Sequence, residues 1–182
     1  MELDTLTKQP VIVAARVTLR PLRASDKGLL EMYAGDKRVA SFTRSIPHPL
    51  PPGAAEALIR KATADDRVED IWAMDGSDAG LGELVGLIAL ERMEAGKRRQ
   101  SEIAYWVAPA MWNSGLASEA LGALVQANPQ ECDTIFGEVF QDNPGSARVL
   151  TNAGFEYLGD AEAYCVARGG KVQTWTYLKK LR

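Results

Sequence analysis

The chain alternates between stretches of period near 3.6 and stretches of period 2, with breakers between them. Val11-Ile12-Val13 and Val17-Thr18-Leu19 are rich in β-branched residues and predict a first strand or hairpin arm, closed by Arg20-Pro21-Leu22-Arg23. Ser25-Asp26 caps a predicted helix carrying Leu29, Leu30 and Tyr33, and a second short helix follows Asp36. Four prolines in residues 46–53 forbid a regular helix. Ala54, Ala57, Leu58 and Ala62 then mark a helix over 54–63.

The texture changes to strands at 70–74, 83–90 and 101–107, with a turn at 75–78 and a charged connection at 91–99. On the third of these, Ile103, Tyr105 and Val107 share one face, and Glu102, Ala104 and Trp106 share the other. Leu116, Ala117, Ala120, Leu121, Leu124 and Val125 recur at helical spacing until Asn128-Pro129. A strand at 134–140 follows. Asn143-Pro144 then opens a helix with an N-cap residue and a proline at its first position, and Gly154 stops it. Strands at 155–158 and 172–178 close the chain. Short connections make 70–107 an antiparallel meander, and the later part alternates strand with helix. The expected class is α+β, or mixed α/β, with one sheet flanked by helices.

Composition narrows the options. The 182 residues predict a single domain over 1–182, with a loose lead-in at 1–10. Hydrophobic residues make up 46%, enough for a core without disulfides or metals. Twenty-one Lys and Arg against 24 Asp and Glu give a net charge of −3, which disfavours a nucleic acid partner but would not repel a cationic amine. Cys132 and Cys165 fit no disulfide framework or zinc spacing and read as free thiols of a reducing, cytoplasmic compartment. A single histidine excludes a His-rich metal site and leaves His48 alone for any nucleophile–His relay. Met1-Glu2-Leu3-Asp4 lacks the basic region of a signal peptide, and no apolar run approaches the roughly 20 residues that span a bilayer, so no membrane partner is expected.

Chemistry concentrates in two segments. In Trp112-Asn113-Ser114-Gly115-Leu116-Ala117-Ser118 a strand ends, a short loop follows and a helix begins at a glycine. The first-turn N–H groups of a helix lack internal partners and, with the helix dipole, favour an anion. Small residues at 114, 115 and 117 let a phosphate approach. A plain Ser-Gly helix start that binds nothing is the competing reading; neither a Walker A loop nor a dinucleotide fingerprint is present. The second segment, Asp142 to Phe155, reads equally as a capped helix with a glycine stop.

In this order and spacing the two segments resemble the GNAT superfamily of acyl-CoA-dependent N-acyltransferases. Four pieces carry a narrower likeness to the ribosomal-protein N-terminal acetyltransferase branch. They are Thr18-Leu19-Arg20-Pro21-Leu22, Ile46-Pro47-His48-Pro49, Glu102 to Val107 with Trp112 to Leu121, and Asn143 to Phe155. The resemblance implies a mostly antiparallel sheet of about seven strands, splayed at its centre between 101–107 and 134–140. It implies acetyl-CoA as co-substrate and no metal. Backbone groups near Val107 would hold the pantetheine and thioester carbonyl, amides from Asn113 to Ser118 the pyrophosphate, and Asn143 the pantetheine arm, with Ser146 near the sulfur. His48 and Trp106 would wall the acceptor site. Trp112 and Ala117 depart from the superfamily's commoner Arg or Gln and Gly but match this branch. Leu150 stands where many members carry a tyrosine that protonates the leaving thiolate, so Ser146 becomes the substitute.

The chemistry itself asks for a base, because an alkyl ammonium is mostly protonated at pH 7 and must lose a proton before it attacks a thioester. Glu102 has the position for it. A solvent-facing residue or an arginine partner is the other reading of Glu102, and Glu83 is a second candidate base. Lys97-Arg98-Arg99 reads as a solvated face. The expectation is an N-acetyltransferase moving acetyl directly from acetyl-CoA to a primary amine, either a protein N-terminus or a small molecule, in a monomer or homodimer. A non-catalytic acyl-CoA-binding sensor or scaffold is the alternative.

Overall fold

A computed structural model describes residues 9–94 and 96–182, so most of the expected lead-in lies outside the described residues. Eight strands, among the described residues, form one sheet in the order β1-β2-β3-β4-β5-β6-β8-β7. They are β1 (Ile12–Val13), β2 (Thr18–Pro21), β3 (Glu69–Asp75), β4 (Gly86–Met93), β5 (Gln100–Val107), β6 (Thr134–Phe140), β7 (Glu156–Cys165) and β8 (Gly170–Lys180). Among the described residues the α-helices are α1 (Lys27–Ala34), α2 (Lys37–Ala40), α3 (Ala54–Thr63), α4 (Leu116–Ala127) and α5 (Pro144–Asn152).

Every neighbouring pair is antiparallel except β5 and β6, which the crossover helix α4 joins in parallel. That one pair stops early. Gln100 to Ile103 are in register with Thr134 to Gly137, whereas residues 104–107 and 138–140 have no partners in each other. The two strands diverge there, and the sheet opens at its centre as expected. The count of eight rather than about seven comes from the two-residue β1, held against β2 by Ile12↔Leu19 and Val13↔Thr18.

Two cores flank the sheet. On one face Ile103, Val107, Ile135 and Val139 meet Leu116, Leu121 and Leu124 of α4 and Leu150 of α5. On the other face Ile71, Leu87 and Ala89 meet Leu30 of α1 and Ala55 and Ala62 of α3, with Trp106 packed beside them. The alternation of β5 read from sequence therefore serves both cores at once.

Two strands differ from the expectation. β4 begins at Gly86, not Glu83, and runs on to Met93 through what was expected to be a charged connection. The turn before it is longer than anticipated, because Gly76 N–H reaches the Gly82 carbonyl (2.8 Å) and Leu81 N–H the Gly76 carbonyl (2.9 Å). Glu83 is left outside the strand, its side chain 61% exposed. β7 spans ten residues instead of four. It is an edge strand that alternates small residues with acids and buries almost none of them, so it carries no apolar period; pairing with β8, for example Ala161↔Thr174, makes it a strand.

Candidate functional site

A cavity of about 910 Å³ runs through the opening between β5 and β6. Most candidate residues from the sequence lie on its wall: Glu102, Trp106, Val107, the whole segment from Trp112 to Ser118, Asn143 and Ser146. His48 does not. It is exposed on the proline loop and outside the cavity lining, while Arg44, Ser45 and Ile46 just before it line the wall.

One end of the cavity is built from backbone. The strand β5 ends at Val107, and a short turn at Pro109–Met111 leads to α4. Asn113 (φ 59) and Gly115 (φ 82) both take the left-handed conformation, which bends the chain at the start of α4, where the first-turn N–H groups have no helical partners. At Gly115 a side chain would be strained, although space exists for a Cβ, with Arg16 Nη2 the nearest atom at 3.5 Å. The bend is clamped from behind. Arg16 donates to the Ser114 carbonyl (3.0 Å) and to Glu119 (3.0 Å), and Glu119 also accepts from the Arg16 and Val17 backbone (2.8 and 3.1 Å). Trp112 donates its indole N–H to the Val107 carbonyl (2.8 Å). One of the backbone groups near Val107 that the resemblance gives to the pantetheine therefore already closes the loop on the strand.

Across the cavity Asn143 caps α5, its side-chain oxygen accepting from Ser146 N–H (3.4 Å). The Ser146 hydroxyl donates to the Tyr105 hydroxyl (3.0 Å), which donates onward to the Ser146 carbonyl (3.0 Å). Burial pushes the Tyr105 phenol up to about 12, so it stays protonated at neutral pH. Tyr105 was not singled out from sequence, since it shares a face with Ile103 and Val107 and passes for core. The available signal was a phenol on the face of β5 that meets the two later helices. Leu150 is buried, and its Cδ1 lies 3.1 Å from where a Cβ on Gly137 would be. The position that the resemblance gives to a tyrosine is here part of the packing against β6.

The other end is built from side chains. Glu102 points to the opposite face of β5 and forms an ion pair with Arg44, which also reaches Glu138 of β6 (3.4 Å). Thr174 of β8 donates to the second oxygen of Glu138 (3.1 Å). The arginine partner weighed against a catalytic Glu102 is thus present, yet the carboxylate still lines the cavity. Burial raises the pKa of Glu102; Arg44 works against this, and the nearby Glu138 and Glu91 add to it. A glutamate so raised is a better base than an ordinary surface carboxylate. Arg44 and Glu138 were missed from sequence, being 58 and 36 residues from Glu102 with no motif around either.

An acetyltransferase (GNAT) domain model matches residues 16–156. The chain belongs to the GNAT acetyltransferase family. An uncharacterized N-acetyltransferase of Bacillus subtilis, YoaA, is 32% identical over 108 residues, which is 58% of this chain and 59% of that protein's length. Among solved structures, Mycobacterium smegmatis RimJ in complex with CoA-disulfide superposes with a TM-score of 0.79 at 19% identity, over 95% of this chain and 88% of that one. Spermidine N-acetyltransferase from Vibrio cholerae, in complex with CoA and spermine, gives 0.71 at 19% identity over 90% and 95%. At these identities the structures testify to the GNAT fold.

Proposed function

We propose that this protein transfers an acetyl group from acetyl-CoA directly to a primary amine. The carrying observation is that one cavity is lined by the start of a helix at one end and by a half-buried carboxylate with a raised pKa at the other. In this reading, the amides from Asn113 to Ser118 take the pyrophosphate, where a helix N-terminus favours negative charge. Asn143 contacts the pantetheine arm, and Arg148, also on the cavity wall, supplies a cation on the same side.

The amine enters past Trp106 and loses a proton to Glu102, directly or through one water. Its nitrogen bonds to the thioester carbon, and the carbon–sulfur bond breaks. Proton count balances: the ammonium gives one proton to Glu102 before attack, the tetrahedral adduct gives a second, water carries one of the two to the departing sulfur, and the other is released to solvent. A thiol has a pKa of about 8.5, well below the value of about 12 for Tyr105. The Ser146–Tyr105 pair therefore serves the departing sulfur as a hydrogen-bond donor rather than by giving up the phenol's proton. Rotation of the Ser146 hydroxyl from Tyr105 into the cavity supplies that donor. The acceptor is a protein α-amine or a small-molecule amine.

Titration with acetyl-CoA by calorimetry, with ATP and NAD as controls, tests the first half. Saturable binding of acetyl-CoA alone is expected, followed by amine-dependent thiol release. Binding without release by any amine, in protein that is folded, would favour the acyl-CoA sensor, the reading that the leucine at position 150 leaves available. No binding would remove the Asn113–Ser118 assignment.

A further inference from the structure

Arg168 does not line the cavity, yet it is bound to both sides of it. It lies in the turn between β7 and β8. Its Nε donates to the Ser41 carbonyl (2.7 Å), and its two terminal nitrogens reach the Asp142 carboxylate (2.6 and 3.2 Å). Its guanidinium lies 5.3 Å from the centre of the Phe42 ring and 5.1 Å from that of Phe140, and both rings line the cavity. The same turn makes two more bonds to the same loop. The Cys165 thiol donates to the Thr43 carbonyl (3.2 Å), and Val166 N–H donates to the Arg44 carbonyl (3.1 Å). The carbonyls of Ser41, Thr43 and Arg44 are thus satisfied by one turn more than 120 residues away in sequence. The loop has no regular structure to satisfy them itself.

We propose that Arg168 is a positioning residue for the acceptor end: it latches the 41–44 loop to the β6–α5 turn and so holds Arg44 between Glu102 and Glu138. A guanidinium suits this task where an ammonium would not. It can fork onto a carboxylate, donate from Nε in another direction, and stack on aromatic faces at once. Asp142 precedes Asn143, so the latch ties the loop to the segment that caps α5. The proposal rests on the reading of this cavity as an acetyl-transfer site, and it names what sets the acceptor half of that site.

The test compares Arg168→Ala with Arg44→Ala. In Arg168→Ala, KM for the amine rises about tenfold, the scale of one lost hydrogen bond to a charged group, while the acetyl-CoA dissociation constant stays within about twofold. Amide hydrogen exchange of peptides covering 41–46 accelerates, while that of α4 does not. The acid limb of the kcat/KM profile moves to higher pH, because Arg44 no longer opposes the burial that raises Glu102. The other charged groups along this wall are unchanged: Glu138 of β6, Glu91 of β4, Lys61 of α3 with Glu69 of β3, and Arg38 of α2 with Asp36. Arg44→Ala shifts the limb the same way, and the double variant shifts it no further. Arg168→Lys restores little, since an ammonium cannot make the three contacts together.

Unchanged amine KM and unchanged exchange in 41–46 would overturn the latch. So would limb shifts that simply add in the double variant. If Arg168→Ala does not fold, Asp142→Asn, which leaves the Ser41 bond intact, carries the same readouts. If Glu102→Gln leaves turnover intact, the assignment of the base fails, and the latch then stands or falls on exchange and amine KM alone.

Discussion

The two ends of the cavity are built differently. At the α4 end the groups proposed to meet a ligand are backbone amides, and Arg16 and Glu119 brace that segment. At the β5–β6 opening the groups are side chains, Glu102, Glu138 and Arg44, from two strands and a loop. An amide donor survives almost any substitution of its own residue, provided that the conformation is kept. A carboxylate does not. The first end therefore tolerates sequence change except where φ is positive, and the second changes character with single residues.

The sharpest break of that contrast is Glu102→Gln. It removes the proposed base and is expected to lower kcat/KM by about 10²–10⁴, with acetyl-CoA affinity retained by calorimetry. A comparable free-energy change of another kind comes from Leu150→Ala, which empties core behind both ends; the loss should be about 2–5 kcal/mol in denaturant unfolding. Next is Gly115→Ala. A φ of 82° costs a side-chain-bearing residue about 1–2 kcal/mol, so acetyl-CoA should bind roughly five- to thirtyfold more weakly, with KM for the amine little affected. At the backbone-built end, Ser118→Ala should alter acetyl-CoA affinity no more than about twofold. Equal damage from Gly115→Ala and Ser118→Ala would mean that side chains, not amides, do the binding there.

The pH dependence separates the two ends as well. A base at Glu102 acts only when ionised, so on the proposed mechanism kcat/KM falls as pH drops through its pKa. Burial, with Glu138 and Glu91 adding and Arg44 opposing, places that midpoint above the ordinary glutamate range. Acetyl-CoA binding measured over the same interval should show no matching step. A step common to both would place the titrating group at the α4 end.

Much of this was open to inspection in the chain. The limits expected for α3 and β6, 54–63 and 134–140, are those observed, because breakers or capping residues bound each segment. The segment 112–118 and Glu102 were singled out from local pattern, and both line the cavity. Tyr105, Arg44, Glu138 and Arg168 were not. Each matters through a partner at least 36 residues away: Ser146 for Tyr105, Glu102 and Glu138 for Arg44, and Ser41 for Arg168. His48 went the other way. It sits on a loop of the right neighbourhood but two residues beyond the part that faces the cavity.

The sequence by itself determined the periods, the breakers and the capping residues, and hence the order of strands and helices and the glycine start of α4. Those are short-range properties, set by φ/ψ preference and by which face of an element is apolar. The tertiary structure alone decided where β5 and β6 part, that an unpatterned edge strand would extend to Cys165, and which charges meet at the opening. Those outcomes depend on pairing and desolvation between distant segments, and neither leaves a periodic trace in the chain.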